Sequence, residues 1–386
     1  MTPAARLDAA ITILDRILSG APAEQALTAW ARGSRFAGSK DRAAIRDHVF
    51  DVLRRKRSCA HLGGGETGRA LILGLLRQDE QDPAAFFTGE GHAPAPLTEA
   101  EASFAPPDMS ETIALDCPDW IAPMLRASLG DAFPPVMQAL RQRAPVFLRA
   151  NTARITREGA IEALRAAGIE TIAHSLAPTA LEITANPRAL RQSRPYLDGL
   201  VELQDAASQA VIAALPDMAG RKVLDYCAGG GGKALALAAL DAQVTAHDAH
   251  PQRMSDLPAR ADRARARITL TDAPRGQFDL VLIDVPCSGS GAWRRSPAGK
   301  WTLTPQQLDR LRNSQARILD TVAPLVTPGG WLAYATCSLL DAENYEQSTE
   351  FLNRHDNFQP VKTHRFTPLD GGDGFFLALL QRDRPK

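Results

Sequence analysis

Cysteine is scarce in this chain and poorly spaced for a structural role. The 386 residues hold 5 cysteines, at positions 59, 117, 227, 287 and 337. None of the close pairs that mark a zinc site or a disulfide framework is present, so reduced thiols in a cytoplasmic setting are expected and no metal is. Long uncharged apolar runs are missing too, which excludes a bilayer-spanning helix and a membrane partner. Arg6, Asp8, Asp15 and Arg16 interrupt the amino-terminal stretch and deny it the apolar core of a secretion signal. Net charge is also lacking, since 44 basic residues balance 44 acidic ones. Overall charge therefore neither requires nor excludes nucleic acid. No internal repeat is visible.

What charge there is segregates along the chain. Residues 1–58 carry 11 Lys and Arg against 6 Asp and Glu, whereas residues 59–120 carry 2 against 11. Leu7, Ile11, Leu14 and Leu18 recur at helical spacing, as do Ile45, Val49, Val52 and Leu53 behind Ser39 as N-cap. Residues 1–80 are accordingly expected to be a helical domain. A Pro-, Gly- and Glu-rich texture over 81–118 marks a linker or irregular segment. Residues 119–202 alternate helices and short strands, a small mixed α/β unit. From 203 to 386 strands and helices alternate regularly, which predicts an α/β, Rossmann-like doubly wound sheet, because parallel strands need helical crossovers. The run 373–380 reads as an edge strand closing that sheet.

Within this last region the strand Val223-Leu224-Asp225 runs into Cys227, Ala228, Gly229, Gly230, Gly231, Gly232 and Lys233 and then into a helix. Glycines there clear side chains from a place where backbone must approach a ligand. Asp248 and Asp272 end the next two strands and suit a ribose and an adenine amino group. A flexible turn and a helix N-cap at Asp248 are the plainer alternatives. Lys233 is followed by Ala234, not the Ser or Thr of a phosphate loop, and no G-x-G-x-x-G follows this strand. S-adenosylmethionine fits this set better than NAD or ATP.

Asp284-Val285-Pro286-Cys287-Ser288-Gly289-Ser290-Gly291 and Tyr334-Ala335-Thr336-Cys337-Ser338 each follow an apolar strand, placing Cys287 and Cys337 at carboxyl strand ends, where open α/β sheets hold their chemistry. Cys59 and Cys117 read as buried, inert residues. Arg294, Arg295 and Lys300 beside Trp301 suit either a solvated loop or a phosphate-tracking rim with a stacking face.

With Leu203-Gln204-Asp205-Ala206-Ala207-Ser208-Gln209, the Cys227–Lys233 loop, Arg294-Arg295-Ser296-Pro297, Lys300-Trp301 and Glu343-Asn344, these motifs resemble the Fmu/Sun family of RNA cytosine-5 methyltransferases, over about the last half of the chain. Leu148-Arg149-Ala150-Asn151 looks like that family's entry into its small RNA-contacting unit, and the basic helical start like a NusB-type RNA-binding domain. The resemblance implies RNA, ribosomal RNA first, as substrate. It implies Cys337 as the nucleophile that adds to cytosine C6, and Cys287 as the group assisting proton removal and release. Asp284, if protonated, would hydrogen-bond the base; it also borders the cofactor site. Transfer RNA or DNA as substrate, or a non-catalytic assembly factor, are the rival readings. Retention of Cys287, Cys337, Asp284 and Asp248 together speaks against the last. The chain departs from the family pattern at Gly229, Gly230 and Ala234. RNA docking is expected at the basic run Arg54-Arg55-Lys56-Arg57.

Overall fold

The computed structural model describes residues 1–384. Two compact units divide the chain: residues 1–143 with 293–302, and residues 144–292 with 303–386.

The first unit is helical. Its main helices are Pro3–Leu18, Ala23–Gly33, Ser39–Arg54, Lys56–Gly63 and Gly68–Gln78. Apolar faces spaced at helical period, among them Leu7, Ile13, Leu14, Ile45, Val49, Val52, Leu71 and Ile72, meet in one core. Ser39 is the first helical residue and not the N-cap; Gly38 holds that place, its N–H donating to the Asp41 carboxylate at 3.3 Å. The segment 81–118 is irregular, with only short helical turns, and packs against the helical unit. Phe87 joins the helical core, and Asp116 accepts from both the backbone N–H and the hydroxyl of Ser58 at 2.9 and 2.8 Å. By compactness the helical unit extends through residue 143.

The acidic stretch supplies counterions to arginines throughout this unit. Arg55 pairs with Asp79, Arg57 with Asp119, Arg69 with Glu101, and Arg141 with Asp116. Residues 293–302 belong to this unit because they finish one of its helices. A helix leaves its last carbonyls without intrahelical partners. At the end of Ser39–Arg54, Trp301 Nε1 donates to the Leu53 carbonyl at 2.6 Å and Lys300 Nζ to the Arg54 carbonyl at 3.0 Å. Arg54 Nε in turn donates to the Arg294 carbonyl at 2.7 Å.

The second unit holds two sheets. Strands β1 (Val146–Ala150), β2 (Glu170–Ala173), β3 (Ala180–Ala185) and β4 (Val201–Leu203) form an antiparallel sheet in the order β2-β3-β1-β4. The larger sheet comprises β5 (Lys222–Asp225), β6 (Gln243–Ala246), β7 (Ile268–Leu270), β8 (Phe278–Asp284), β9 (Val326–Thr336), β10 (Phe358–Phe366) and β11 (Phe375–Arg382). Its order is β10-β11-β9-β8-β5-β6-β7. Strands β5 to β9 pair in parallel, and β10 and β11 close one side antiparallel. The run expected as an edge strand is thus interior: β11 lies between β9 and β10, which is why Phe376 to Leu380 are all buried. The true edge, β10, carries mostly exposed residues, a composition that does not read as a strand.

Helices Lys56–Gly63 and Gly68–Gln78 touch through glycine. A Cβ on Gly74 would lie 1.8 Å from the Cys59 carbonyl oxygen, and one on Gly63 1.8 Å from that of Ala70. Both obstacles are backbone, so overpacking cannot be relieved by a side-chain rotation. Gly74→Ala is expected to destabilise the helical unit by about 1–3 kcal/mol or more, read from denaturant unfolding followed by circular dichroism. Gly33→Ala, which meets nothing within 4 Å, should cost little; equal losses in the two variants would show that the close approach is not what limits stability.

Candidate active site

Strand order reverses at β5, with β6 and β7 on one side and β8 and β9 on the other. Open α/β sheets place their ligand in the crevice at such a switch point. Here the loop Cys227–Lys233 lines it. Gly229 and Gly231 take φ of +50° and +77°, a region that L side chains rarely adopt, and a Cβ on Gly231 would lie 2.2 Å from Leu257 Cδ1. Asp248 braces the loop: its carboxylate accepts from the Gly229 N–H at 3.0 Å and the His250 N–H at 2.9 Å, with Arg253 at 3.5 Å. A carboxylate has about four acceptor sites, so hydroxyl donors can still be taken. Asp272 is exposed, two residues past the end of β7. Cys227 is largely enclosed, and burial pushes its thiol well up, as for an inert packing residue.

At the end of β5, Asp225 is 1% exposed and neither of its carboxylate oxygens completes a hydrogen bond of ordinary geometry. Burial pushes its pKa up to about 7 against the pull of Lys233. An orphaned buried carboxylate beneath a glycine cradle fits a ligand that brings cationic and polar groups. Lys233, also buried, donates to Asp284 at 2.5 Å. Burial alone would depress its ammonium; the Asp284 charge and hydrogen bond raise it instead. Asp284 thus accepts from Lys233, at the border between the cradle and the two thiols.

The two thiols meet. Asp284 at the end of β8 pairs across the ladder with Ala335 of β9, and just beyond them Cys287 Sγ lies 3.4 Å from Cys337 Sγ. That hydrogen bond to Cys337, then burial, then the nearby charges of Cys337 and Glu343 hold the Cys287 thiol well above its ordinary value. The loops themselves are tied together, with the Gly291 N–H donating to the Cys337 carbonyl at 3.0 Å and the Gly374 N–H to the Gly291 carbonyl at 2.9 Å. One participant carried no assigned role in the sequence reading. Glu343, fully buried, accepts from Ser288 and Ser338, the residues that follow each cysteine. The small hydroxyl residues beside both cysteines were the available signal.

Other expected positions are used differently. Arg294 and Lys300 are 4% and 1% exposed within the helical unit, so they form neither a solvated loop nor a phosphate rim. Burial brings the Lys300 ammonium down to about 8. In the run Arg54-Arg55-Lys56-Arg57 each residue has a carboxylate partner, Asp51, Asp79, Glu66 and Asp119 in turn; Arg54 is buried and the other three are partly exposed. Cys59 and Cys117 are buried with thiols raised by desolvation, as expected of inert residues. Among the described residues no helix is long and apolar enough to cross a membrane, and no cluster of three or more His, Cys, Asp or Glu could hold a metal.

Known proteins place this architecture. Residues 212–381 match the family described as 16S rRNA methyltransferase RsmB/F, and residues 117–189 match its ferredoxin-like domain. Ribosomal RNA small subunit methyltransferase B of Citrobacter koseri is 31% identical over 331 residues, covering 81% of this chain and 73% of that one. The Salmonella arizonae protein of the same name is 33% identical over 282 residues, covering 68% of this chain; the chain spans 66% of that relative's length. The crystal structure of PH0851 superimposes with a TM-score of 0.78 at 22% identity over 99% of both chains. A methyltransferase homolog protein from Pyrococcus horikoshii does so at 0.62 and 22%, over 70% of this chain and 97% of that one; both likenesses concern the fold. The class is that of the Rossmann-like methyltransferases that use S-adenosylmethionine. Within it, the chain belongs to the RsmB/F family of 16S rRNA methyltransferases.

Asp225 gives this site a pH signature. Its folded pKa, about 7, lies above the ordinary carboxylate value of 3.8, so between those values the folded state binds more protons than the unfolded one. Stability contributed by this group is present below the lower value and is lost as pH rises through 7. The stability of Asp225→Asn relative to the parent should therefore climb from pH 4 to pH 7, by up to about 1.4 kcal/mol per unit, and level off above. Melting curves across that range read it; a difference flat in pH would mean that Asp225 titrates normally.

Proposed function

We propose that this chain transfers a methyl group from S-adenosylmethionine to C5 of a cytosine in RNA, with 16S ribosomal RNA as the substrate, through a covalent Cys337–C6 adduct. The observation that carries the reading is the meeting of two thiols at 3.4 Å beyond neighbouring parallel strands, beside the cradle of the crevice. Membership of the family and the names of the Citrobacter and Salmonella relatives support ribosomal RNA over transfer RNA.

In this reading Asp225, the Gly229–Gly232 backbone, Lys233, Asp248 and Asp284 hold the cofactor, which when bound supplies an electrophilic methyl on a sulfonium. C5 of cytosine is a weak nucleophile until C6 is made tetrahedral. Cys337 adds to C6 as a thiolate, and the ring electrons move to C5, which then takes up the methyl. While Cys337 is anionic, the Cys287 S–H donates to it and keeps its own proton. Once Cys337 is bonded to carbon, the hydrogen bond and the charge that held that proton are gone. Cys287 can then release it to solvent and accept the proton from C5, and Cys337 leaves as thiolate. Charge and protons balance over the cycle, and the two thiols act in sequence.

Cys337→Ala is expected to abolish methylation and to form no adduct. Cys287→Ala should accumulate methylated RNA bound to the protein, stable to denaturing electrophoresis. The reverse pattern would exchange the two roles, and loss of a 5-methylcytosine from transfer RNA instead of 16S RNA in a deletion strain, read by bisulfite sequencing, would move the substrate.

A further inference from the structure

Two loops that carry reacting groups must hold their separation to a few tenths of an ångström, because a displacement of about 1 Å can cost on the order of 100-fold in rate. Nothing in the backbone of β8 and β9 alone does this, since each cysteine lies beyond the last ladder pair. Besides the Gly291 N–H bond to the Cys337 carbonyl and the Leu339 N–H bond to the Ser290 hydroxyl, the side-chain contacts that bridge the loops gather about one carboxylate. Glu343, in the turn Asp341–Glu343 after β9, is fully buried. One of its oxygens accepts from the Ser288 backbone N–H at 2.8 Å and from Gln315 Nε2 at 3.0 Å. The other accepts from the Ser288 hydroxyl at 2.5 Å and the Ser338 hydroxyl at 2.6 Å. All four donors are uncharged, and together they fill the capacity of a carboxylate.

The arrangement is stiffened from both sides. Gln315 Nε2 also donates to the Pro286 carbonyl at 2.9 Å, gripping the residue before Cys287. Tyr334 OH donates to the Glu343 carbonyl at 2.5 Å, fixing the turn against β9. The Ser290 hydroxyl sits 3.1 Å from that of Ser288 and 3.2 Å from that of Ser338. Taking a carboxylate out of water costs stability that an apolar clasp would not. What a carboxylate supplies that an apolar contact does not is direction, four acceptor sites at fixed angles, together with a negative charge close to the sulfurs.

We propose that Glu343 is a positioning residue for the reaction: by binding the residue after each cysteine it sets the distance between the two thiols. It touches neither substrate nor cofactor in this reading and acts through Ser288 and Ser338. Its charge has a separate effect: it opposes a thiolate at Cys287 and so favours the proton-holding state that accompanies the Cys337 thiolate before addition. The proposal rests on the thiol chemistry described above.

Glu343→Gln keeps the size and one acceptor, so it is the variant to test, with Ser338→Ala as a milder second. Calorimetry of S-adenosylmethionine binding and thermal melting establish that each variant is folded. Turnover of Glu343→Gln on RNA is then expected to fall about 100-fold, with methylated adduct accumulating as for Cys287→Ala, because the release step needs Cys287 in place. Independently of RNA, the pH midpoint for alkylation of Cys287 by iodoacetamide, read residue by residue by mass spectrometry, should move down when the charge is removed. A merely structural role would lower melting temperature and cofactor affinity together and leave both the adduct level and the alkylation midpoint of the folded protein unchanged, and that result would overturn the proposal. If Cys287→Ala itself traps no adduct, the thiol mechanism fails; if it does and Glu343→Gln does not, only the role of Glu343 fails.

Discussion

The parallel pairing of β8 with β9 is the constraint on which the chemistry depends. Adjacent strands lie about 4.8 Å apart, so residues just beyond the ends of two neighbours are forced into contact, whatever their separation in sequence. Register decides whether those residues are the right ones. Val281, Leu282 and Ile283 face Leu332, Ala333 and Tyr334 across the ladder, and all six are fully buried. A slip by one residue would turn every one of these side chains to the opposite face. Packing on both faces of the sheet therefore holds the alignment that brings together two sulfurs 50 residues apart.

The parts of the molecule that could be read from sequence are those whose cause is local. Buried parallel strands are continuous apolar runs, and their ends, followed by Cys287, Cys337 or the glycines, are visible without a structure. Strand β10 was not, because its exposed face supplies Gln, Lys and Thr where a buried strand would show Val or Ile. Charge pairing was not legible for a related reason. Arg54 to Arg57 form a dense basic run, but their counterions lie at positions 51, 66, 79 and 119, and no window on the sequence brings the distant ones together.

Glu343 shows the same limit at the site itself. A lone glutamate is almost never fully buried, so its default reading is a solvated side chain. Only the fold reveals that Ser288 and Gln315, 55 and 28 residues away, turn their donors toward it. Cys287 and Cys337 announce their chemistry through residue type; the side chain that holds their loops together does not.

The short stretch 293–302 carries a consequence for how the protein is made. The helix Ser39–Arg54 leaves the ribosome early, yet the groups that cap its last carbonyls follow 246 and 248 residues later. At about 5–20 residues per second, that end of the helix waits roughly 10–50 s for its partners. The helical unit thus begins folding as an amino-terminal body but is completed by a loop that belongs, in the order of synthesis, to the other one. No single cut in the chain separates the two units, and a boundary drawn after Arg143 would release a helical body with an unfinished edge.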